Sequence, residues 1–108
     1  SNLSMANMTY ADLSRANLSA ANLNNATLWF TNLRGATLKN ANLREADLSE
    51  ADLSSANLVG ADLRETNLRE TNLSYSYLTG ANLSGANLTG ARFCKTMMPN
   101  GSINNEDC

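Results

Sequence analysis

Leucine recurs at every fifth position along almost the whole chain. Of the twenty positions reached from Leu3 to Met98 in steps of five, seventeen are leucine and the others are Met8, Phe93 and Met98. The residue two places before each of them is always small, fourteen times alanine and otherwise threonine or serine. The residue one place before is mostly asparagine or aspartate. The chain is therefore a repeat of a five-residue unit: small, polar, leucine and two variable positions.

A period of five fits neither an amphipathic helix nor a half-buried strand, whose periods are about 3.6 and 2. Alanine and leucine favour helices, but leucines five residues apart would spiral around a helix and leave no single face to bury. The pattern instead predicts a coil with four short sides, each made by one unit, so that residues twenty apart stack. We expect Leu13, Leu33, Leu53 and Leu73 to share one interior column. Twenty units give about five coils and a rod about 24 Å long at the usual interstrand spacing.

The two variable positions turn the corners of this coil. A type II turn needs a positive φ at its third residue, which glycine or asparagine adopts most easily. Type II corners are thus expected at Asn25, Gly35, Asn40, Gly60, Gly80, Gly85 and Gly90. Units that end in glutamate, such as Glu50, need either another turn or a strained backbone. The Asn and Asp columns are expected to be structural, bonding to backbone and to one another.

Runs such as "ADLSEADLSSANLVGADL" and "GANLSGANLTGA" resemble the pentapeptide-repeat family, whose pattern is A(D/N)LXX. The resemblance covers residues 1–96. It implies an all-β fold, a right-handed quadrilateral parallel β-helix of about five coils, without intrinsic enzymatic activity. The regularity of the repeats, and the tail "TMMPNGS", are similar to cyanobacterial and plastid members.

Composition narrows the function. The chain has no histidine, the commonest general base and metal ligand, and we expect no catalytic residue, no cofactor site and no metal site. Eight basic and ten acidic residues give a net charge of −2, which lacks the basic stripe of a nucleic-acid-binding protein. No apolar run reaches the length of a membrane span. The chain begins at Ser1, which fits a processed form, a truncated form or one domain of a longer protein.

Three of the six aromatic residues are predicted to meet near one end of the rod. Phe30 lies one coil above Tyr10, and Trp29 precedes Phe30 at the same corner. A contiguous exposed group of this kind often marks a contact surface. The alternative is that these rings pack against a segment that precedes Ser1.

The last residues, 97–108, are predicted to form a tail that caps the β-helix of residues 1–96. Pro99 and the Asn100–Gly101 pair redirect the chain, and Met98 and Ile103 are expected to plug the open coil. A disulfide between Cys94 and Cys108 would pin the tail and indicate an oxidising compartment, such as a periplasm or thylakoid lumen. Two free thiols would instead fit the cytoplasm.

These observations favour a structural or protein-interaction module, with an unidentified partner protein or a second copy as its ligand. The alternative is a DNA mimic, because some members of the family that the chain resembles imitate duplex DNA and inhibit gyrase. The scattered cations, among them Arg34, Lys39 and Arg44, interrupt the acidic surface that such a mimic needs.

Overall fold

The computed structural model describes residues 2–108, which wind into a stack of coils with twenty residues per turn. Each second-position residue bridges in parallel to the residue twenty places later. We number the resulting columns as sides: side 1 carries Asn2, Asn22, Asn42, Asp62 and Asn82; side 2 carries Asn7, Thr27, Asp47, Asn67 and Asn87; side 3 carries Asp12, Asn32, Asp52, Asn72 and Arg92; side 4 carries Asn17, Thr37, Asn57, Tyr77 and Met97. Within residues 2–108 there is no helix, and the strands are β1, Thr96–Met97, and β2, Ile103–Asn104.

A backbone ladder joins successive coils. The N–H of Leu53 donates to the carbonyl of Asn72 at 2.8 Å, and the N–H of Asn72 donates to the carbonyl of Ala51 at 3.0 Å. The same two bonds recur up the sides, so leucine and alanine face inward while the backbone is paired between coils. This ladder accounts for the five-residue period, because each unit supplies one bridge and one corner.

Every corner from Met5 to Lys95 has a positive φ at the fifth position of its unit. Gly60, Gly80, Gly85 and Gly90 have φ of 69–73°, which confirms the prediction for them. Glu50 adopts the same shape with φ 57°, and Ala51 N–H closes its turn on the carbonyl of Leu48 at 3.0 Å. The glutamate corners therefore accept the strained conformation rather than use a different turn.

The Asn and Asp preference at the second position has a local cause. Asp52 Oδ1 accepts the N–H of Ser54 at 2.9 Å and its hydroxyl at 2.6 Å, which stabilises the start of the corner. Most other units repeat the bond to the N–H two residues later. The expected bonds between members of a column do not occur among residues 2–108, because each side-chain oxygen turns towards its own corner.

The core is a single cylinder of leucine and alanine. All third-position leucines from Leu23 to Leu78 are completely buried, whereas those of the first coil and Leu83 and Leu88 of the last are partly exposed. Four threonines take the small position, and each donates its hydroxyl to a main-chain carbonyl 23 residues earlier; Thr66, for example, bonds Leu43 O at 2.9 Å. The cylinder therefore holds hydroxyl groups without leaving one unpaired.

The tail departs from the prediction in two respects. The coil ladder continues through Met97 and Pro99, so three residues of the segment 97–108 still belong to the fifth coil. The chain then turns and β2 pairs antiparallel with β1, with Met97 opposite Ile103. Opposite residues of an antiparallel pair project to the same face, and Met97 stands at an outward position. Ile103 is thus 52% exposed, and its predicted role as a core plug is wrong, whereas Met98 does pack against the core.

Candidate interaction surface

Tyr10, Trp29 and Phe30 form one contiguous group, which we call the aromatic cluster. The rings of Tyr10 and Phe30 lie parallel, with an interplanar angle of 6° and centroids 5.2 Å apart. The Trp29 ring tilts by 54° against Phe30 at 4.9 Å and lies 6.4 Å from Tyr10. Tyr10 is 70% exposed and Trp29 43% exposed. The structure therefore brings together the three rings that were predicted to meet because residues twenty apart stack.

The backbone explains this stacking. Tyr10 and Phe30 occupy the fifth position of their units, at the corner between sides 2 and 3, with φ of 64° and 56°. Their backbones are joined by the ladder, since Tyr10 N–H donates to the carbonyl of Trp29 at 3.0 Å. Side chains at successive corners thus leave the rod in the same direction, one coil apart. Holding aromatic residues in the left-handed region costs about 1–2 kcal/mol per residue, which the ring stacking offsets in part.

Charged residues follow the aromatic cluster along the same corner. Glu50 and Glu70 continue the column above Phe30, and Arg69 continues the column of Trp29 two coils away. The surface thus changes from apolar to charged within one coil. Among residues 2–108 no group of His, Cys, Asp and Glu has the arrangement of a metal site, and no helix could cross a membrane.

Sides 1 and 2 carry stacked like charges, yet the ion pair in the described chain forms within one unit. Arg64 binds Asp62 through Nε to Oδ1 at 2.8 Å and through Nη2 to Oδ2 at 2.6 Å. The Arg64 hydrogen bond lowers the pKa of Asp62 below its usual 3.8, and the same bond raises the pKa of Arg64. The Ser14 hydroxyl similarly lowers the pKa of Asp12. The ion pair of the described chain is therefore a local carboxylate–guanidinium pair and not a contact between coils.

The second candidate feature is the cap that the C-terminal tail forms over the last coil. Cys94 and Cys108 form a disulfide with Cα atoms 4.7 Å apart, across fourteen residues of sequence. Asp107 then lies over Phe93, accepting the Phe93 N–H at 2.9 Å and donating its own N–H to the Phe93 carbonyl at 2.8 Å. The tail therefore pairs the Phe93 N–H on side 3 of the last coil, a group that a sixth coil would otherwise pair.

Comparison with known proteins gives a consistent picture. The model of the family described as pentapeptide repeats matches residues 1–40, 31–70 and 61–98. Among curated proteins, none matches the chain significantly.

Two solved structures share the fold over most of the chain. A pentapeptide repeat protein from the Arabidopsis thaliana thylakoid lumen is 34% identical with a TM-score of 0.84, over 85% of this chain and 64% of that protein. The pentapeptide repeat protein Rfr23 of the cyanobacterium Cyanothece 51142 is 30% identical with a TM-score of 0.58, over 88% of this chain and 83% of that protein. The chain thus spans less than two thirds of the length of the thylakoid-lumen protein.

Proposed function

Because the chain belongs to the family of pentapeptide repeat proteins, we propose that it is a non-enzymatic interaction module that binds a partner protein through the aromatic cluster. The stack of Tyr10 on Phe30, with Trp29 against it, is the observation that carries this proposal. Outward positions of the rod otherwise hold mainly serine, threonine, asparagine, glycine and charged residues. Three rings concentrated at one corner are therefore a local exception.

The physical properties of the aromatic cluster suit protein binding. Large rigid rings bury much apolar area and lose little conformational entropy on binding, and tryptophan and tyrosine are enriched at binding hot spots. Because Tyr10 and Phe30 already stack in the free protein, the surface is preorganised. The neighbouring Glu50 and Arg69 would form a polar rim on the C-terminal side, which is the usual layout of an interface.

We draw two further inferences, one on the handedness of the coil and one on the compartment of the protein. We infer right-handed winding, because crossovers between parallel strands are right-handed in almost all proteins. We also infer an oxidising compartment, since disulfides such as Cys94–Cys108 persist there and not in a reducing cytosol. The resemblance to a thylakoid-lumen protein supports that inference. The mixed charges, including the Asp62–Arg64 pair, argue against imitation of DNA, which needs a uniformly acidic surface.

Binding can be measured directly because Trp29 is the only tryptophan of the chain. Bait protein should capture a partner from an extract of the source organism, and the purified partner should blue-shift and alter Trp29 fluorescence. Trp29→Ser combined with Phe30→Ser should abolish capture and leave the fold intact, because both side chains project outward. Arg44→Ser with Glu45→Ser is the matched control, since it changes the same two positions of a unit on side 1, outside the aromatic cluster and its rim.

Two results would contradict the proposal. Equal capture of the partner by the wild type and by the folded Trp29→Ser, Phe30→Ser variant would show that the partner binds elsewhere. The second result concerns a form of the protein extended before Ser1. Trp29 fluorescence that is already blue-shifted in that form, and that the partner does not alter, would assign the aromatic cluster to intramolecular packing.

A further inference from the structure

Side 4 differs from the other three sides in charge. Of the eight basic and ten acidic residues of the chain, only Lys39 projects from side 4. The corner that follows side 4 is uncharged, with Ala20, Asn40, Gly60 and Gly80 in its column, and Asn100 begins the turn that leaves the fifth coil. Sides 1, 2 and 3 each carry several charges of both signs. Side 4 is therefore the one broad surface of the described rod that carries almost no charged side chains.

Side 4 is also the side with the most apolar outward groups. Tyr77 is 50% exposed, and Val59, Met97 and Pro99 are each partly exposed. Tyr77 stands at the second position, where most other units place Asn or Asp bonded to their own corner. It forms the usual bridges, to Asn57 and Met97, so the exposed ring is added to a regular coil and does not distort it. Tyr77 and Met97 are neighbours in one column, and a nearly uncharged surface with exposed apolar groups often marks an interaction site.

We propose that side 4 packs against side 4 of a second copy of this chain to form a two-fold symmetric dimer. The available area is sufficient: one side of a body measuring 32 × 25 × 23 Å covers roughly 575–800 Å², so two copies would bury about 1,150–1,600 Å² in total, close to the range of specific interfaces. The partner surface must also be nearly uncharged. Charged side chains on it would lose their hydration at the interface and would find only Lys39 of side 4 as an ionic partner. A second side 4 meets that requirement.

The position of Lys39 selects the orientation of the two rods. If the rods were parallel, the two Lys39 ammonium groups would lie in the same layer and repel. If the rods are antiparallel and all five coils overlap, the two-fold axis passes the third coil and Val59 faces Val59 of the second copy. Lys39 of the second coil then lies opposite the fourth-coil residues Tyr77 and Thr79, where it can contact the Tyr77 ring. The antiparallel dimer is therefore the favoured arrangement.

The dissociation constant, measured by sedimentation across a concentration series, tests this proposal. Val59→Lys places two like charges face to face at the axis and should raise the constant on the order of 100-fold. The fold should tolerate it, because Lys39 already occupies the same column one coil below. Ser74→Lys, which adds the same charge at the same position of side 3, should leave the constant unchanged.

A short bis-maleimide provides a second measurement of the contact surface. Val59→Cys should cross-link efficiently to a second copy, whereas Ser74→Cys should not. A protein that remains monomeric at high concentration, or a dimer that Val59→Lys does not weaken, would overturn the proposal. Dissociation of the dimer by Trp29→Ser with Phe30→Ser, but not by Val59→Lys, would place the contact on the aromatic cluster. Because the dimer does not depend on the aromatic cluster, this proposal and the proposed function can fail separately.

Discussion

Asn105 accepts the backbone N–H of Lys95 through its side-chain Oδ1 at 2.9 Å, in the place where a sixth coil would supply a main-chain carbonyl. One coil earlier, the equivalent N–H of Tyr75 donates to the carbonyl of Cys94 at 2.8 Å. Asp107 does the same for Phe93 with Oδ2. The tail therefore ends the ladder on side 3 with side-chain oxygens in place of a further strand, which protects part of an exposed edge from pairing with other chains.

The disulfide is expected to keep this cap in place. Cys94→Ser with Cys108→Ser should lower the free energy of unfolding by about 2–3 kcal/mol, because the bond closes a loop of about fifteen residues in the unfolded chain. Urea denaturation of the wild type with and without reductant measures the effect. The double variant is the control, since reductant should not change its stability. Equal stability of oxidised and reduced wild type would show that the cap holds without the bond.

Residue spacing alone predicted the columns, the buried leucines and the meeting of Tyr10 with Phe30, because all three follow from the number of residues per coil. The cap could not be predicted in the same way. Ile103 is apolar and would be expected in the core, yet the register of the short hairpin turns its side chain outward opposite Met97. That register depends on the bonds of Asn105 and Asp107 to the last coil, which lie outside the repeat.

The core prediction concerns the third coil. Leu53→Ala should destabilise the protein by about 2–5 kcal/mol, because Leu53 is completely buried and neighbouring coils cannot collapse into the cavity. Leu88→Ala is the matched control in the partly exposed last coil, and its cost should be distinctly smaller. Ala51→Leu should be harmful through overpacking, by about 1–3 kcal/mol. Thermal or urea unfolding of the variants would refute the interior position of Ala51 if Ala51→Leu proved neutral.

The corner prediction compares Gly60 and Gly80, which lie in one column. A Cβ at residue 80 would have Gly60 N, 3.9 Å away, as its nearest neighbour, whereas a Cβ at residue 60 would collide with Asn40 Oδ1. Gly80→Ala should cost about 1 kcal/mol or less, since the left-handed penalty is partly offset by restriction of the unfolded chain. Gly60→Ala should cost more, because Asn40 must move. Chemical denaturation that gave equal costs would contradict this role for Asn40.

The glutamate corners show the limit of reasoning from single residues. Glycine and asparagine preferences correctly assigned many corners, but Glu50 adopts a positive φ although its own preference opposes it. The Glu50 N–H is bonded to the carbonyl of Arg69 at 2.9 Å and the next residue closes the turn, so the ladder on both sides fixes the shape. The function of the aromatic cluster is not predictable from spacing for a different reason, because it depends on a second molecule.

The last prediction is the response of stability to acid at Asp62. The bond from Arg64 lowers the pKa of this carboxyl in the folded protein, so the ionised form is favoured by folding. The resulting stabilisation is complete above the pKa of the unfolded chain, near the usual 3.8, and is lost as pH falls through the lower folded pKa. Asp62→Asn removes it at neutral pH and keeps an oxygen to accept the N–H of Arg64.

Unfolding of wild type and Asp62→Asn should therefore differ most at neutral pH and low salt, with wild type the more stable. The difference should shrink as pH falls below about 4, and also as salt rises, because the pair is partly exposed. Arg64→Gln should reproduce the loss, and the double variant should lose little more than either single variant, as expected for one coupled pair. A difference that stayed constant down to pH 2 would show that the effect of Asp62 on stability does not come from its charge.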